Sequence, residues 1–183
     1  MSETINILAI VGSLRKASNT KALVEAAVEM APDGMNITIY PLNDLPVYNQ
    51  DLEADGTFPE AVVPFHTAIK EADGMLMGTP EYNGSYSGVI KNAIDWASRG
   101  GGLLRGKPVV TMGGSPGALG ATKAQEHLRA VCLHRGMYLM PQPTIAVPQF
   151  HKKIENGKLT DEATREYVGK QMAAFEEWVR RFV

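Results

Sequence analysis

The stretch INILAIVGSLRKASNT, residues 5–20, joins an apolar run, a glycine and a polar loop. The apolar run covers residues 5–11 and has Asn6 as its only polar side chain, which is typical of a strand buried on both faces. Gly12 ends the strand, and apolar residues at helical spacing follow the loop between residues 22 and 30. This order predicts a parallel strand with a helix N-terminus near its carboxyl end.

The alternation of strand and helix patterns continues to the end of the chain. Further strands are predicted at residues 35–42, 75–79, 108–112 and 138–147, with helices between them. Ser87 is a plausible N-cap of the helix before Gly100, and Thr160 is predicted to cap a last helix with Tyr167 and Phe182 on its buried side. Pro141 and Pro143 cannot donate ladder hydrogen bonds, so the last strand is predicted at a sheet edge. We therefore predict an α/β fold with a doubly wound, five-stranded parallel sheet in the flavodoxin-like order 2-1-3-4-5. We expect one domain over residues 1–183.

Composition excludes several classes of protein. Hydrophobic residues make up 44% of the 183 residues and charged residues 21%, which is typical of a globular chain. The net charge of −2 and the absence of a basic run argue against nucleic-acid or membrane-surface binding and against a strongly acidic electron carrier. The single cysteine, Cys132, excludes an internal disulfide and favours a cytoplasmic location. We expect neither a signal peptide nor membrane insertion.

The loop after the first predicted strand is a candidate anion site. A helix N-terminus offers free amide groups and the positive end of the helix dipole, and both attract anions. Neither a P-loop nor a G-x-G-x-x-G motif follows Gly12, so a single phosphomonoester fits better than a Rossmann-bound dinucleotide. The alternative is an ordinary capped helix start with a solvated Arg15. The candidate residues of this loop are Ser13, Arg15, Ser18, Asn19 and Thr20.

Two more loops follow strands that are neighbours in the predicted order. In residues 79–85, Tyr82 could pack against a planar ring, while Asn83 and Gly84 permit backbone angles that turn amides toward a ligand. We interpret Glu81 as a helix-start or surface carboxylate rather than a catalytic base. Residues 113–117 contain three glycines and a proline, so this backbone could approach a ligand closely, although a simple turn is the alternative. Because ligands bind where the strand order reverses, we expect the three loops to line one crevice.

No conventional catalytic set is visible in the sequence. The four histidines, which we expect to lie away from the three loops, have no metal-ligand spacing with other histidines, cysteines or carboxylates. Cys132 lies on the apolar face of a predicted helix and is expected in the core. If the chain is an enzyme, a cofactor carries the reaction. The histidines are His66, His127, His134 and His151.

The first two loops and the helix after the second loop together resemble the NADPH-dependent FMN reductase family, which includes bacterial quinone, chromate and azo reductases. The resemblance covers essentially the whole chain, and its most specific part is the passage from Pro-Glu-Tyr-Asn into Lys-Asn-Ala-Ile-Asp-Trp. The matching segments are Gly12-Ser-Leu-Arg15, Ser18-Asn19-Thr20, Pro80-Glu-Tyr-Asn-Gly-Ser85, Gly88, Lys91-Asn92 and Asp95-Trp96.

This resemblance implies FMN as the cofactor and NADPH or NADH as the co-substrate. It implies a ping-pong cycle in which NAD(P)H gives a hydride to flavin N5 and a small acceptor then takes the electrons. It also implies a homodimer or homotetramer, and the segment Gly100–Gly102 could lie over the pocket near the partner. The implied contacts are the five loop residues above for the phosphate, Pro80, Glu81, Tyr82, Asn83 and Gly84 for the isoalloxazine, and Ser115, Pro116 and Gly117 for its pyrimidine side.

Three functions remain open from the sequence. The first is an NAD(P)H oxidoreductase that reduces quinones, chromate, free flavin, azo dyes or ferric species. The second is a flavodoxin-type electron-transfer protein, which the near-neutral charge and Arg15 disfavour. The third is a flavin-binding sensor. The sequence does not decide between NADPH and NADH.

Overall fold

The computed structural model describes residues 4–183. The main sheet contains strands β1 (Ile5–Val11), β2 (Met35–Tyr40), β3 (Gly74–Pro80), β4 (Pro108–Gly114), β5 (Tyr138–Leu139) and β6 (Ile145–Val147). The helices are α1 (Asn19–Glu29), α2 (Val62–Glu71), α3 (Gly88–Arg99), α4 (Thr122–His134) and α5 (Glu162–Val179). Short 3-10 turns cover Gln50–Glu53 and Phe150–Lys152, and β7 (Ile154–Glu155) and β8 (Lys158–Leu159) form an antiparallel hairpin.

The main sheet is parallel and has the order β2-β1-β3-β4-β5, which confirms the predicted topology. Every residue of β3 and β4 is buried, as their continuous apolar sequences predict for central strands. One hydrophobic cluster packs α1 and α5 against one face of the sheet. A second cluster packs α2, α3 and α4 against the other face. This doubly wound arrangement leaves the loops after the strands as the place for a ligand.

The predicted edge strand at 138–147 is wrong as one continuous strand. The chain forms two short strands instead, β5 and β6, and both pair with β4. The interruption contains Pro141 and Pro143, which have no amide hydrogen to place in a ladder. Two buried glutamine side chains serve the interrupted region: Gln171 Nε2 lies 2.8 Å from the carbonyl oxygen of Pro143, and Gln125 Nε2 lies 2.7 Å from that of Ile145. The glutamines lie on α5 and α4, so they reach the sheet from opposite faces.

The predicted ends of several elements need correction. Strand β2 ends at Tyr40, before Leu42. The cap of α5 is Asp161 rather than Thr160, since its carboxylate accepts a 3.0 Å hydrogen bond from the amide of Thr164. The Thr164 hydroxyl, followed by Lys153, lowers the pKa of this carboxyl.

Two aromatic side chains predicted on the buried face of the last helix are exposed. Tyr167 is 52% exposed, and Phe182 lies beyond α5, is 40% exposed and stacks on Tyr138 at 4.3 Å. By contrast, Ser87 caps α3 as predicted, and Cys132 is buried as predicted. Among residues 4–183, no helix has both the length and the apolar character needed to cross a membrane.

Candidate active site

The loops after β1, β3 and β4 meet because their strands are neighbours and glycines allow close contact. A Cβ atom on Gly12 would lie 2.5 Å from Ser87 Oγ, so any side chain here would displace the start of α3. A Cβ atom on Gly113 would lie 2.7 Å from the carbonyl oxygen of Thr79. The Gly12 amide also donates a 2.8 Å hydrogen bond to the carbonyl of Gly78. The ends of the three central strands therefore form one closely packed floor.

The first loop presents amide groups at the start of α1. Ser18 is the N-cap, and its buried hydroxyl accepts a 3.1 Å hydrogen bond from the Lys21 amide. The amides of Asn19 and Thr20 have no acceptor in the part of the chain that the structure describes. Arg15 is exposed, and its guanidinium donates only to the carbonyl of Ala17 among described groups, at 3.2 Å. An anion near these amides would meet donors whose positions the helix already determines.

The second loop closes in a two-residue turn. The amide of Tyr82 donates to the carbonyl of Ser85 at 2.9 Å, and the amide of Ser85 donates back at 3.1 Å. Asn83 and Gly84 have φ values of 52° and 73°, which is the left-handed pair that a type I′ turn requires. Their own amides have no acceptor among residues 4–183. The Tyr82–Ser85 turn therefore presents two free donors beside the half-exposed ring of Tyr82.

The base of this loop is fixed by Thr79 and Pro80. Both residues are buried at the end of β3. The Thr79 hydroxyl donates a 2.8 Å hydrogen bond to the carbonyl of Pro80 and accepts one of 3.4 Å from the Ser87 amide. This hydroxyl joins the beginning of the loop to the residue that caps α3, so the loop has little freedom at its base.

Glu81 is a helix-start carboxylate, as interpreted from the sequence, but the helix is α4. Its Oε2 atom accepts a 3.1 Å hydrogen bond from the amide of Ala124 in the first turn. The N-cap of that helix is Ala121 at φ 69°, which offers no side-chain acceptor. A carboxylate from the neighbouring loop therefore stabilises the positive end of α4.

The third loop is attached to a segment that the sequence did not identify as part of the site. The buried Ser115 accepts a hydrogen bond at Oγ from Ala121 and is paired through its backbone with Val147 and Phe150. A Cβ atom on Gly114 would overlap the Phe150 ring. Pro116 and Gly117 are exposed. Residues 147–150 therefore pack against the third loop and hold it in place. These residues lie there because β6 pairs with β4, next to the loop.

The sequence of this chain matches a known protein family. A model of the family described as NADPH-dependent FMN reductase matches residues 5–152. The chain belongs to the NADPH-dependent FMN reductase family. It is therefore an oxidoreductase of the flavodoxin-like fold that uses FMN and NAD(P)H.

Several relatives of this chain cover nearly its whole length. It is similar to the 2-hydroxy-1,4-benzoquinone reductase of a Burkholderia species, with 41% identity over 96% of this chain and 97% of the relative. It is 34% identical to the quinone reductase of Escherichia coli K12 over 99% and 98% of the two chains. Among solved structures it resembles FerB, a flavoenzyme NAD(P)H:(acceptor) oxidoreductase of Paracoccus denitrificans, with a TM-score of 0.88, 38% identity and coverage of 98% and 99%.

In this FMN reductase family member, the Lys-Asn-Ala-Ile-Asp-Trp segment of α3 has a structural role. Asn92 Oδ1 accepts a 2.8 Å hydrogen bond from the Tyr48 amide, and its Nδ2 donates to the carbonyl of Pro46 at 2.9 Å. Trp96 donates to the same carbonyl at 2.8 Å. Lys91 and Asp95 form an ion pair of 2.6 Å one turn apart on α3. The motif therefore holds residues 46–48 against α3, which the sequence did not predict.

One expectation about the surroundings of the loops is wrong. His127 does not lie away from them, because its Nδ1 atom is 3.0 Å from Ser85 Oγ. The segment Gly100–Gly102 follows the far end of α3, about 18 Å along a helix of twelve residues, so its position over a pocket near the partner stays a prediction. Residues 4–183 contain no cluster of three or more side chains suited to a metal ion.

Proposed function

We propose that this FMN reductase family member is a quinone reductase. The observation that carries this choice is a large exposed apolar side chain in or near each loop: Leu14 in the first loop, Tyr82 in the second and Leu119 two residues after the third, at 46%, 49% and 57% exposure. Apolar surface beside a site suits a flat, uncharged acceptor better than an oxyanion such as chromate. The printed names of the quinone reductase relatives support the same acceptor class.

The free groups of the three loops fit the parts of FMN. The amides at the start of α1 suit a phosphate, and the amides of the Tyr82–Ser85 turn suit the polar edge of the ring system. We assign the phosphate to Ser13, Arg15, Ser18, Asn19 and Thr20. We assign the isoalloxazine to Pro80, Glu81, Tyr82, Asn83 and Gly84, and its pyrimidine side to Ser115, Pro116 and Gly117.

The protein's part in the reaction is binding and orientation. Bound FMN would supply the hydride chemistry that connects NAD(P)H to the acceptor. Glu81 accepts a hydrogen bond at the start of α4, so we assign it a structural role rather than that of a general base. Because Tyr82, Pro116 and Gly117 are exposed, the site stays open and admits acceptors of different size.

Anaerobic stopped-flow spectroscopy tests the proposal. The FMN-loaded protein is reduced with NADPH or NADH and then mixed with 1,4-benzoquinone or chromate. We expect reduction of the flavin by at least one nicotinamide nucleotide and a larger second-order rate constant for reoxidation by the quinone than by chromate. Steady-state assays should give parallel lines in double-reciprocal plots, as a ping-pong cycle requires. Faster reaction with chromate would overturn the choice of acceptor. Sluggish reduction by both nucleotides would favour an electron carrier, and tight FMN binding without turnover would favour a sensor.

Arg15 provides a test of the phosphate assignment. Arg15→Ala should weaken FMN binding by about 1.5–3 kcal/mol, as expected for a hydrogen bond to a charged group. Lys16→Ala is the matched control, because Lys16 is also exposed and its loss changes the net charge equally. Fluorescence titration with FMN measures both dissociation constants. Equal constants for the two variants would remove Arg15 from the phosphate site.

We also propose a homodimer or homotetramer in the cytoplasm. A groove of about 480 Å³ beside the first loop is lined by Leu14, Val47 and α3, and Val47 is 83% exposed. Exposed apolar surface of this kind suits a subunit contact. Val47→Asp should lower the mass measured by light scattering, whereas Val63→Asp, at a residue of α2 that is 51% exposed, should not. The cytoplasmic location rests on the single free cysteine.

A further inference from the structure

The Tyr82–Ser85 turn is attached to α4 at both of its ends. Before the turn, Glu81 accepts the hydrogen bond from the Ala124 amide at 3.1 Å. At its last residue, Ser85 Oγ lies 3.0 Å from His127 Nδ1. A Cβ atom on Gly84 would lie 3.9 Å from Cδ of Lys123, so the aliphatic part of that side chain lies close to the turn. Two residues of α4, Ala124 and His127, therefore contact the loop that follows β3.

The two attachment points lie in neighbouring turns of α4. The Ala124 amide belongs to the first turn, whose free N–H groups point out of the N-terminal end of the helix, and the His127 side chain follows three residues later. Glu81 and Ser85 flank the turn and reach these two points. Two separated attachments fix the orientation of the turn relative to α4, whereas a single attachment would allow the turn to rotate about it.

The turn does not need α4 in order to close. Its two reciprocal backbone hydrogen bonds and the left-handed conformations of Asn83 and Gly84 close it locally. The attachments instead determine where the free amides of Asn83 and Gly84 point. Loss of one attachment should therefore change the position of these donors without opening the turn.

We propose that His127 is a positioning residue that, through Ser85, holds the free amides of the Tyr82–Ser85 turn in the orientation that FMN requires. This inference rests on the proposed contact between the turn and the isoalloxazine. Hydrogen bonds to a charged group are about twice as strong as neutral ones. Correctly oriented amides should therefore stabilise the reduced, more negatively charged cofactor more than the oxidised one. His127 would thus affect both the affinity for FMN and its midpoint potential.

Side-chain geometry provides a sharp set of variants. The amide of asparagine places a nitrogen or oxygen at the position of histidine Nδ1, while the amide of glutamine reaches the position of Nε2. His127→Asn should therefore retain the contact with Ser85, whereas His127→Ala and His127→Gln should lose it. Ser85→Ala removes the contact from the other side. His134→Ala is the matched control, because His134 is an exposed histidine at the far end of the same helix.

The experiment measures the FMN dissociation constant by fluorescence and the two-electron midpoint potential by spectroelectrochemistry. We expect His127→Ala, His127→Gln and Ser85→Ala each to weaken FMN binding about fivefold, the effect of one net hydrogen bond. A fivefold preferential loss for the reduced form corresponds to a potential about 20 mV lower. His127→Asn should stay close to wild type, and His134→Ala should match it. The double variant of Ser85 and His127 should be no worse than either single variant.

Equal dissociation constants and potentials in wild type, His127→Ala and Ser85→Ala would overturn the inference. Equal losses in the Asn and Gln variants would also overturn it, since the contact at Nδ1 would then not be the cause. Thermal melting of each variant without FMN reports any general loss of stability, which should be small because His127 is exposed. If wild type bound FMN and turned over while the variants were unchanged, the proposed function would stand and only this inference would fail. Absence of FMN binding by wild type would instead refute the proposed function.

Discussion

Replacing Gln171 by glutamate should make the stability of the protein strongly dependent on pH. Gln171 is fully buried, and its Nε2 atom donates to the carbonyl oxygens of Pro143 at 2.8 Å and Thr111 at 3.3 Å. An ionised carboxylate of the same shape would point an anion at two carbonyl oxygens. The introduced carboxyl group should therefore stay protonated in the folded state, so its pKa is raised above the value in the unfolded chain.

The loss of stability is the free energy needed to keep the introduced carboxyl group protonated in the folded state. The unfolded carboxyl has a pKa near 4.3, so holding it neutral at pH 7 costs about 3.7 kcal/mol, and at pH 5.5 about 1.6 kcal/mol. The lost second donor adds about 1 kcal/mol at every pH. Above the unfolded pKa the folded state binds one more proton than the unfolded state, so stability falls as pH rises. We expect Gln171→Glu to lose about 2 kcal/mol more at pH 7 than at pH 5.5.

Urea unfolding at a fixed FMN concentration, followed by circular dichroism between pH 5 and 8, measures this difference. Gln171→Met is the control, because it removes both donors without introducing a titrating group and its loss relative to wild type should not vary with pH. A constant difference between wild type and Gln171→Glu across this range would refute the reasoning. It would mean that the carboxylate finds solvent or a cation, and that the region between β5 and β6 is less well packed than the hydrogen bonds indicate.

Two further predictions test the supports of the site and the core. Gly120→Ala should lose more stability than Gly157→Ala in urea unfolding: both glycines have positive φ, but a Cβ atom at Gly120 would lie 2.7 Å from the backbone of residues 146–148, whereas nothing lies within 4 Å at Gly157. Left-handed backbone strain alone costs about 1 kcal/mol. Equal losses of stability in the two variants would mean that Gly120 does not lie close to the backbone of residues 146–148. Burial raises the pKa of the Cys132 thiol to about 12, so iodoacetamide at pH 8 should modify it only after denaturation; equal labelling rates in native buffer and in urea would contradict its buried position.

Local sequence patterns predicted the strands and caps that depend only on neighbouring residues or on burial. Residues 5–11 were predicted as a buried strand, and β1 has these bounds because a strand between two neighbours needs apolar residues on both faces. Ser87 was predicted as a cap because a hydroxyl before an apolar periodic segment satisfies a free amide. At the last helix two adjacent residues could both cap. The carboxylate of Asp161 prevails there, supported by Lys153 from the preceding segment.

The tertiary structure decided the partners of polar side chains. The prolines at 141 and 143 signalled an edge position, but nothing local indicated that Gln125 and Gln171 would provide the donors from two different helices. Likewise, Glu81 and Ser85 reach residues of α4 that lie 43 and 42 positions away. Such contacts depend on how helices pack across the sheet.

From its sequence alone, this chain could be assigned its strand order, three candidate ligand-binding loops and its resemblance to a flavin reductase family. These follow from periodicity, turn residues and local motifs, which depend on neighbouring backbone geometry. Only the folded arrangement decided that Glu81 stabilises α4, that Asn92 and Trp96 hold residues 46–48, and that His127 reaches the second loop. The physical reason is that a hydrogen bond between distant residues requires donor and acceptor to meet within about 3 Å, and the packing of whole elements determines that distance.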